Sequence, residues 1–133
     1  MIKPDIGFSL DVTLAGDVPG AKAPQKMGDG VAISTFDSSM IPNPKLRKYV
    51  SNLANENDIK YKNAFLKFGG TDARAIHLTG MGVPSLFLGI PTRYVHSAHS
   101  LLNLEDVEYT IELLIEIIKK FDSETVASFT SLD

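Results

Sequence analysis

The sequence predicts an α/β fold, a layered mixed β-sheet with flanking helices, and three observations carry that prediction. Short stretches of apolar period two alternate with stretches of helical period. Residues 83–90 are almost wholly apolar, as in a central strand buried on both faces. Recognisable caps stand where helices should begin.

Taken in order, Ile6, Phe8, Leu10, Val12 and Leu14 alternate and predict a first strand that buries this row. Asp11 then lies on the opposite face near the strand's end. Residues 16–20 read as a turn, and residues 21–30 as a polar, exposed loop carrying Lys22, Gln25, Lys26 and Asp29. A second strand over 31–36 stops at Asp37-Ser38-Ser39, residues that favour local side-chain to backbone bonds. Asn43 caps and Pro44 opens a helix with Leu46, Tyr49, Val50, Leu53 and Ala54 on one face, ending around Asn57-Asp58.

Residues 61–66 predict a third strand. Gly69 and Gly70 then relax the backbone, and Thr71 caps a short helix that starts at Asp72 and stops at Gly80. The fourth strand, 83–90, ends at Pro91. Asn103 caps the last helix, residues 104–121, about 27 Å long at ~1.5 Å per residue. Its buried face is predicted as Val107, Ile111, Leu114, Ile115 and Ile118. The tail, 122–133, has weaker patterning and is expected to fray. The order β-β-α-β-α-β-α wants more sheet than 133 residues supply, so the chain reads as part of a larger domain.

Composition narrows the function. The apolar share of 44% and charged share of 22% are those of a soluble globular domain. A net charge of −3 without a basic run argues against nucleic acid and anionic membranes as partners. No stretch approaches the roughly 20 apolar residues of a membrane span, and the N-terminus lacks a signal peptide's apolar core. A cytoplasmic location is the expectation. With no cysteine, any metal must be held by His, Asp or Glu.

Several residues could carry chemistry. His96 follows a strand end, where open α/β sheets place their sites. Such a histidine can bind a metal, move a proton or satisfy a backbone carbonyl. His99 reads as solvated and His77 as a packing or capping residue. Taken alone, Asp11 reads as a turn-capping residue at a strand end and Asp17 as a turn residue. Gly69-Gly70-Thr71-Asp72 could present backbone N–H groups to an anion or carbonyl, but lacks the Walker lysine and the dinucleotide glycine spacing. No nucleophile elbow is present, and no spacing singles out a carboxylate pair for glycoside hydrolysis.

Together these segments resemble the M42 metallo-aminopeptidases, the glutamyl and tetrahedral aminopeptidase group. Four motifs carry the resemblance, in the family's order: Asp11-Val12-Thr13-Leu14-Ala15-Gly16-Asp17-Val18-Pro19-Gly20; Phe36-Asp37-Ser38-Ser39-Met40-Ile41-Pro42-Asn43-Pro44; Gly69-Gly70-Thr71-Asp72-Ala73, with Phe68 where the family's turn has a further glycine; and Pro91-Thr92-Arg93-Tyr94-Val95-His96-Ser97.

The resemblance implies the C-terminal portion of a zinc-dependent aminopeptidase catalytic domain over 1–133. The family's N-terminal portion and its inserted dimerisation domain are absent. It implies Asp11 as ligand to one divalent ion and His96 as ligand to the other, zinc or cobalt in the complete enzyme, activating water for peptide hydrolysis. Thr71, Asp72, Arg93 and Tyr94 are the implied substrate-binding residues, with Arg93 and Tyr94 equally able to brace their loop. The family's remaining ligands and its general-base glutamate have no counterpart here. The expectation is therefore weak or no metal binding and no catalytic residue or activity in the isolated chain. Expected partners are peptide substrates, further copies in a homo-oligomer, or a complementary N-terminal fragment. The alternatives are a non-catalytic assembly or binding module and, less favoured because the motifs are ligand motifs, a glycoside hydrolase with an endoglucanase label.

Overall fold

The apolar run near residue 83 forms the middle of the sheet. The computed structural model describes residues 2–67 and 69–131. Phe68, the residue noted in the glycine turn, lies outside the described residues, as do Met1 and the last two of the tail. Five strands, β1 (Gly7–Leu14), β2 (Val31–Asp37), β3 (Tyr61–Leu66), β4 (Ser85–Arg93) and β5 (Leu101–Leu102), form one mixed sheet. Its order is β1-β4-β2-β3, with β5 paired to the end of β4. β4 runs parallel to β1 and antiparallel to β2, while β2 and β3 are parallel. Four helices join them: α1 (Pro44–Glu56), α2 (Ala73–His77), α3 (Leu104–Lys120) and α4 (Ser123–Ser128).

The core lies between this sheet and helices α1 and α3. Val31, Ile33, Leu86 and Leu88 from the sheet meet Leu46, Val50, Leu53, Leu113 and Ile117 from the helices. Each such side chain contributes about 1.5–3 kcal/mol by leaving water. Asn43 caps α1 by accepting from Leu46 N at 2.9 Å, with Pro44 at the first turn as expected. The short α2 seats its buried Ala73 against Met40 and Phe87, forming a separate small cluster.

Five local expectations are corrected. β4 does not stop at Pro91 but continues to Arg93, because Leu14 and β5 still pair with Thr92. Thr71 does not cap α2: its Oγ1 donates to Asp37 Oδ2 at 2.8 Å, and Asp72 occupies the cap position without a side-chain bond. On β1, Phe8 packs against Phe121, but Leu10, Val12 and Leu14 are exposed, since no element covers the row further along. The tail does not simply fray. Asp122 caps α4 through Thr125 N, and Phe129 is buried against Tyr49 and Phe121 with ring centroids 5.6 and 5.7 Å away.

The fifth correction is the face of α3. Asp106, Thr110, Leu113 and Ile117 are buried, Val107 and Leu114 are half-buried, and Ile111, Ile115 and Ile118 are exposed. The helix is rotated because the Asp106 carboxylate accepts from Gly28 N at 2.7 Å and Gly30 N at 2.8 Å. Thr110 then hides its hydroxyl by donating to the Asp106 carbonyl at 2.7 Å. Two buried polar side chains with partners outweigh the more apolar row beside them.

Candidate functional site

β1 and β4 run in parallel register, with Asp11 beside Gly89. Gly89 has no room for a Cβ, which would sit 2.9 Å from both Thr13 Cγ2 and the Phe87 ring. Asp11 is exposed, and its Oδ1 accepts from Val12 N at 2.7 Å. Beyond Arg93 the chain turns back through residues 94–100 and re-pairs as β5, so His96 rides on a hairpin loop. The turn is tied inward: Ser97 N donates to Tyr94 O at 3.2 Å and Ser100 Oγ to the same carbonyl at 3.0 Å. Ser97 Oγ lies 2.6 Å from the carbonyl oxygens of Tyr94 and His99.

Tyr94 and His96 both have left-handed backbones, φ 59° and 64°. Non-glycine residues are uncommon there, and such strain concentrates at functional loops. It presents the His96 side chain to a cleft of about 600 Å³.

That cleft gathers Asp11, Thr71, Asp72 and His96, with Ser9, Thr92 and Ser100 among its polar walls and Leu10, Phe87 and Leu102 among its apolar ones. Thr71 and Asp72 arrive from the turn after β3. Asp37, fully buried, holds that turn. Its Oδ1 accepts from Ser39 N, Ser39 Oγ and Met40 N at 2.7, 2.5 and 2.9 Å, and its Oδ2 accepts from Thr71 Oγ1. Ser38 Oγ donates to Gly69 O, and a Cβ on Gly70 would collide with Ser39. Ala73 N donates to Ser9 Oγ at 3.2 Å, tying α2 to β1.

Arg93 and Tyr94 lie apart from the cleft. Arg93 Nε donates to Asp17 Oδ2 at 3.0 Å, and its Nη2 pairs with the same oxygen. This hydrogen bond holds the Asp17 carboxyl below its ordinary range and raises the guanidinium. Tyr94 is exposed along a neighbouring groove with Val18 and Lys22. His77 Nδ1 is 3.1 Å from Val83 O, a tie between the end of α2 and the approach to β4, and His99 is exposed. Sequence reasoning did not single out Asp37 as an anchor. Its Asp-Ser-Ser turn was legible, but its bond to a threonine 34 residues on was not.

The donors present, one carboxylate and one imidazole, suit a borderline divalent cation such as zinc in kind. In number they fall short. Among the described residues no three His, Asp or Glu side chains converge as a metal site, whereas catalytic zinc takes three protein ligands. Among those residues, too, no helix is long and apolar enough to cross a membrane.

The profile of the family described as M42 glutamyl aminopeptidase matches residues 1–113. The structure of a TET aminopeptidase from the marine sediment archaeon Thaumarchaeota archaeon SCGC AB-539-E09 superposes with a TM-score of 0.93. Its identity is 46%, over 96% of this chain and 36% of that one. The glutamyl aminopeptidase of Lactococcus lactis is 33% identical over 93% of this chain and 34% of its own. The Pyrococcus horikoshii TET1 peptidase, described as assembling into a tetrahedron or a large octahedral shell, is 26% identical with a TM-score of 0.69 over 83% of this chain and 32% of that one. A Thermotoga maritima structure described as an endoglucanase is 23% identical with a TM-score of 0.68 over 96% of this chain and 37% of that one, a likeness of fold alone. The chain thus spans about a third of the length of these relatives. With a profile match across most of its residues and the fold shared throughout, the chain belongs to the M42 aminopeptidase family.

Proposed function

We propose that this chain supplies the C-terminal portion of a dinuclear metal-dependent aminopeptidase site, removing N-terminal residues from peptides once the site is completed. The observation that carries this reading is the convergence of Asp11, His96, Thr71 and Asp72 on one cleft, from three separate stretches of sequence. Asp11 and His96 would each hold one zinc or cobalt ion together with ligands from the rest of the catalytic domain. The bound ions supply Lewis-acid polarisation and an activated water. Thr71, anchored by Asp37, and Asp72, whose carboxylate suits a peptide's ammonium terminus, position the substrate. Arg93 acts by bracing the loop: its pairing with Asp17 fixes the strand end from which Tyr94 and His96 depart.

A general base is not among these residues, so the chain alone is expected to be inactive. The same reading makes its partner a complementary fragment of the family's catalytic domain, in an assembly of several copies. Aminoacyl-p-nitroanilide hydrolysis with cobalt or zinc tests it. The purified chain should release no p-nitroaniline, and mixing it with a polypeptide carrying the remainder of a relative's catalytic domain should start turnover. Turnover by the chain alone, or none after a verified complex forms, would contradict it. A non-catalytic assembly module is the second reading, favoured by the exposed apolar residues of β1 and α3; complex formation without turnover would select it.

A further inference from the structure

Asp29-Gly30 is the one Asp–Gly or Asn–Gly pair in the sequence, a dipeptide prone to close on itself. Glycine brings no side chain to hinder its own nitrogen, which can attack Asp29 Cγ. The N–H proton and a carboxyl oxygen leave as water, with a proton from solvent, and a five-membered succinimide remains. Water then adds at the Asp29 backbone carbonyl carbon and breaks its bond to the ring nitrogen, so that the chain runs on through Cγ as isoaspartate. Addition at Cγ instead restores aspartate. One water leaves and one returns, with no oxidant or cofactor.

The fold requires this dipeptide. Gly30 has φ 82°, and a Cβ there would sit 2.0 Å from the Lys60 carbonyl oxygen. Asp29 closes the turn before it: its Oδ2 accepts from Lys26 N at 2.8 Å, and its own N–H donates to Lys26 O at 3.1 Å. The same structure occupies both reacting groups. Gly30 is buried and its N–H donates to Asp106 Oδ1 at 2.8 Å, while Gly28 N donates to Asp106 Oδ2 at 2.7 Å. An amide anion formed at Gly30 would face that carboxylate, so like charges oppose the first step. The Asp29 carboxyl is meanwhile engaged by the Lys26 amide.

We propose that Asp29-Gly30 is a covalent modification site, converted to isoaspartate when loop 16–30 lifts from α3 and kept as aspartate while Asp106 holds it. Water is the only reagent. Opening of the loop frees Gly30 N, and local openings of this kind lie well below the free energy of global unfolding. Isoaspartate adds a methylene to the backbone between the two amides that Asp106 binds. Gly28 N and Gly30 N then no longer fit one carboxylate, so the change outlasts the opening that allowed it. The same loop carries Asp17, the partner of Arg93 at the base of the His96 hairpin, and the modified chain holds that brace less firmly.

The test incubates the full chain at neutral pH, folded in buffer or unfolded in urea. Isoaspartate at position 29 is followed by peptide mass spectrometry with electron-transfer fragmentation and by isoaspartyl methyltransferase labelling. The folded chain should convert about tenfold more slowly than the unfolded one, or slower still. Asp106→Asn, its folding checked by circular dichroism, should convert several-fold faster than the parent in buffer. A second measurement needs no variant: in urea too dilute to unfold the chain, conversion should rise in step with hydrogen exchange at Gly30 N. The isolated isoaspartyl chain should exchange Gly28 N and Gly30 N faster than the parent. Equal rates in buffer and urea, a folded Asp106→Asn chain no faster than the parent, or conversion that ignores Gly30 exchange would overturn the proposal. Unchanged exchange in the isoaspartyl chain would overturn its lasting effect on the loop.

Discussion

Two residues of the hairpin loop carry its conformational cost. A left-handed backbone is worth roughly 1–2 kcal/mol against an L-residue with a Cβ, and Tyr94 and His96 both adopt it within three positions. Tyr94 is exposed, so Tyr94→Gly should stabilise the chain by about 1 kcal/mol in urea unfolding. Asp37 is the opposite case, a buried carboxylate accepting four hydrogen bonds. Asp37→Ala strands those donors and should cost about 3 kcal/mol, while Thr71→Val removes one bond and should cost about 1 kcal/mol. For Asp17 the sign follows from its lowered pKa. The stabilisation is present above the ordinary aspartate value of 3.8 and fades as pH falls through the lower folded value. Amide exchange in loop 16–30 should stay slow down to that acid range, and Arg93→Met should move its onset to higher pH.

At the scale of elements, α3 shows what one buried carboxylate can do. Glu105 and Asp106 in the first turn and Lys119 and Lys120 in the last suit the helix dipole. Asp106 also takes the amides of Gly28 and Gly30 from the loop before β2, which sets the helix's rotation. Asp106→Ala should cost about 2–4 kcal/mol in urea unfolding. Elements governed by local rules were readable from sequence: the limits of β3, the Asn43 and Asn103 caps, and the end of α1 at Glu56. Those decided by partners far along the chain were not. Periodicity could not show that Asp106 would face inward, that Thr71 would bond Asp37, or that Pro91 would sit inside a strand. For the site, the motifs led to Asp11, Thr71, Asp72 and His96, all of which line one cleft. The pairing of Arg93 with Asp17, 76 residues apart, had no local signature.

At the scale of the molecule, β1 occupies one edge of the sheet, and its outer row Leu10, Val12 and Leu14 is exposed. The row Ile111, Ile115 and Ile118 on α3 is exposed as well. Open edges and apolar rows invite association. Val12→Lys with Ile115→Lys should therefore leave the fold intact and lower concentration-dependent self-association in light scattering. The same surfaces belong to a chain that spans about a third of its relatives, which agrees with a site completed by further polypeptide. The most direct measurement is metal-dependent aminoacyl-p-nitroanilide hydrolysis by the completed complex with His96→Ala. The variant chain should fold, enter the complex and show no turnover. Full activity with alanine at position 96 would contradict it.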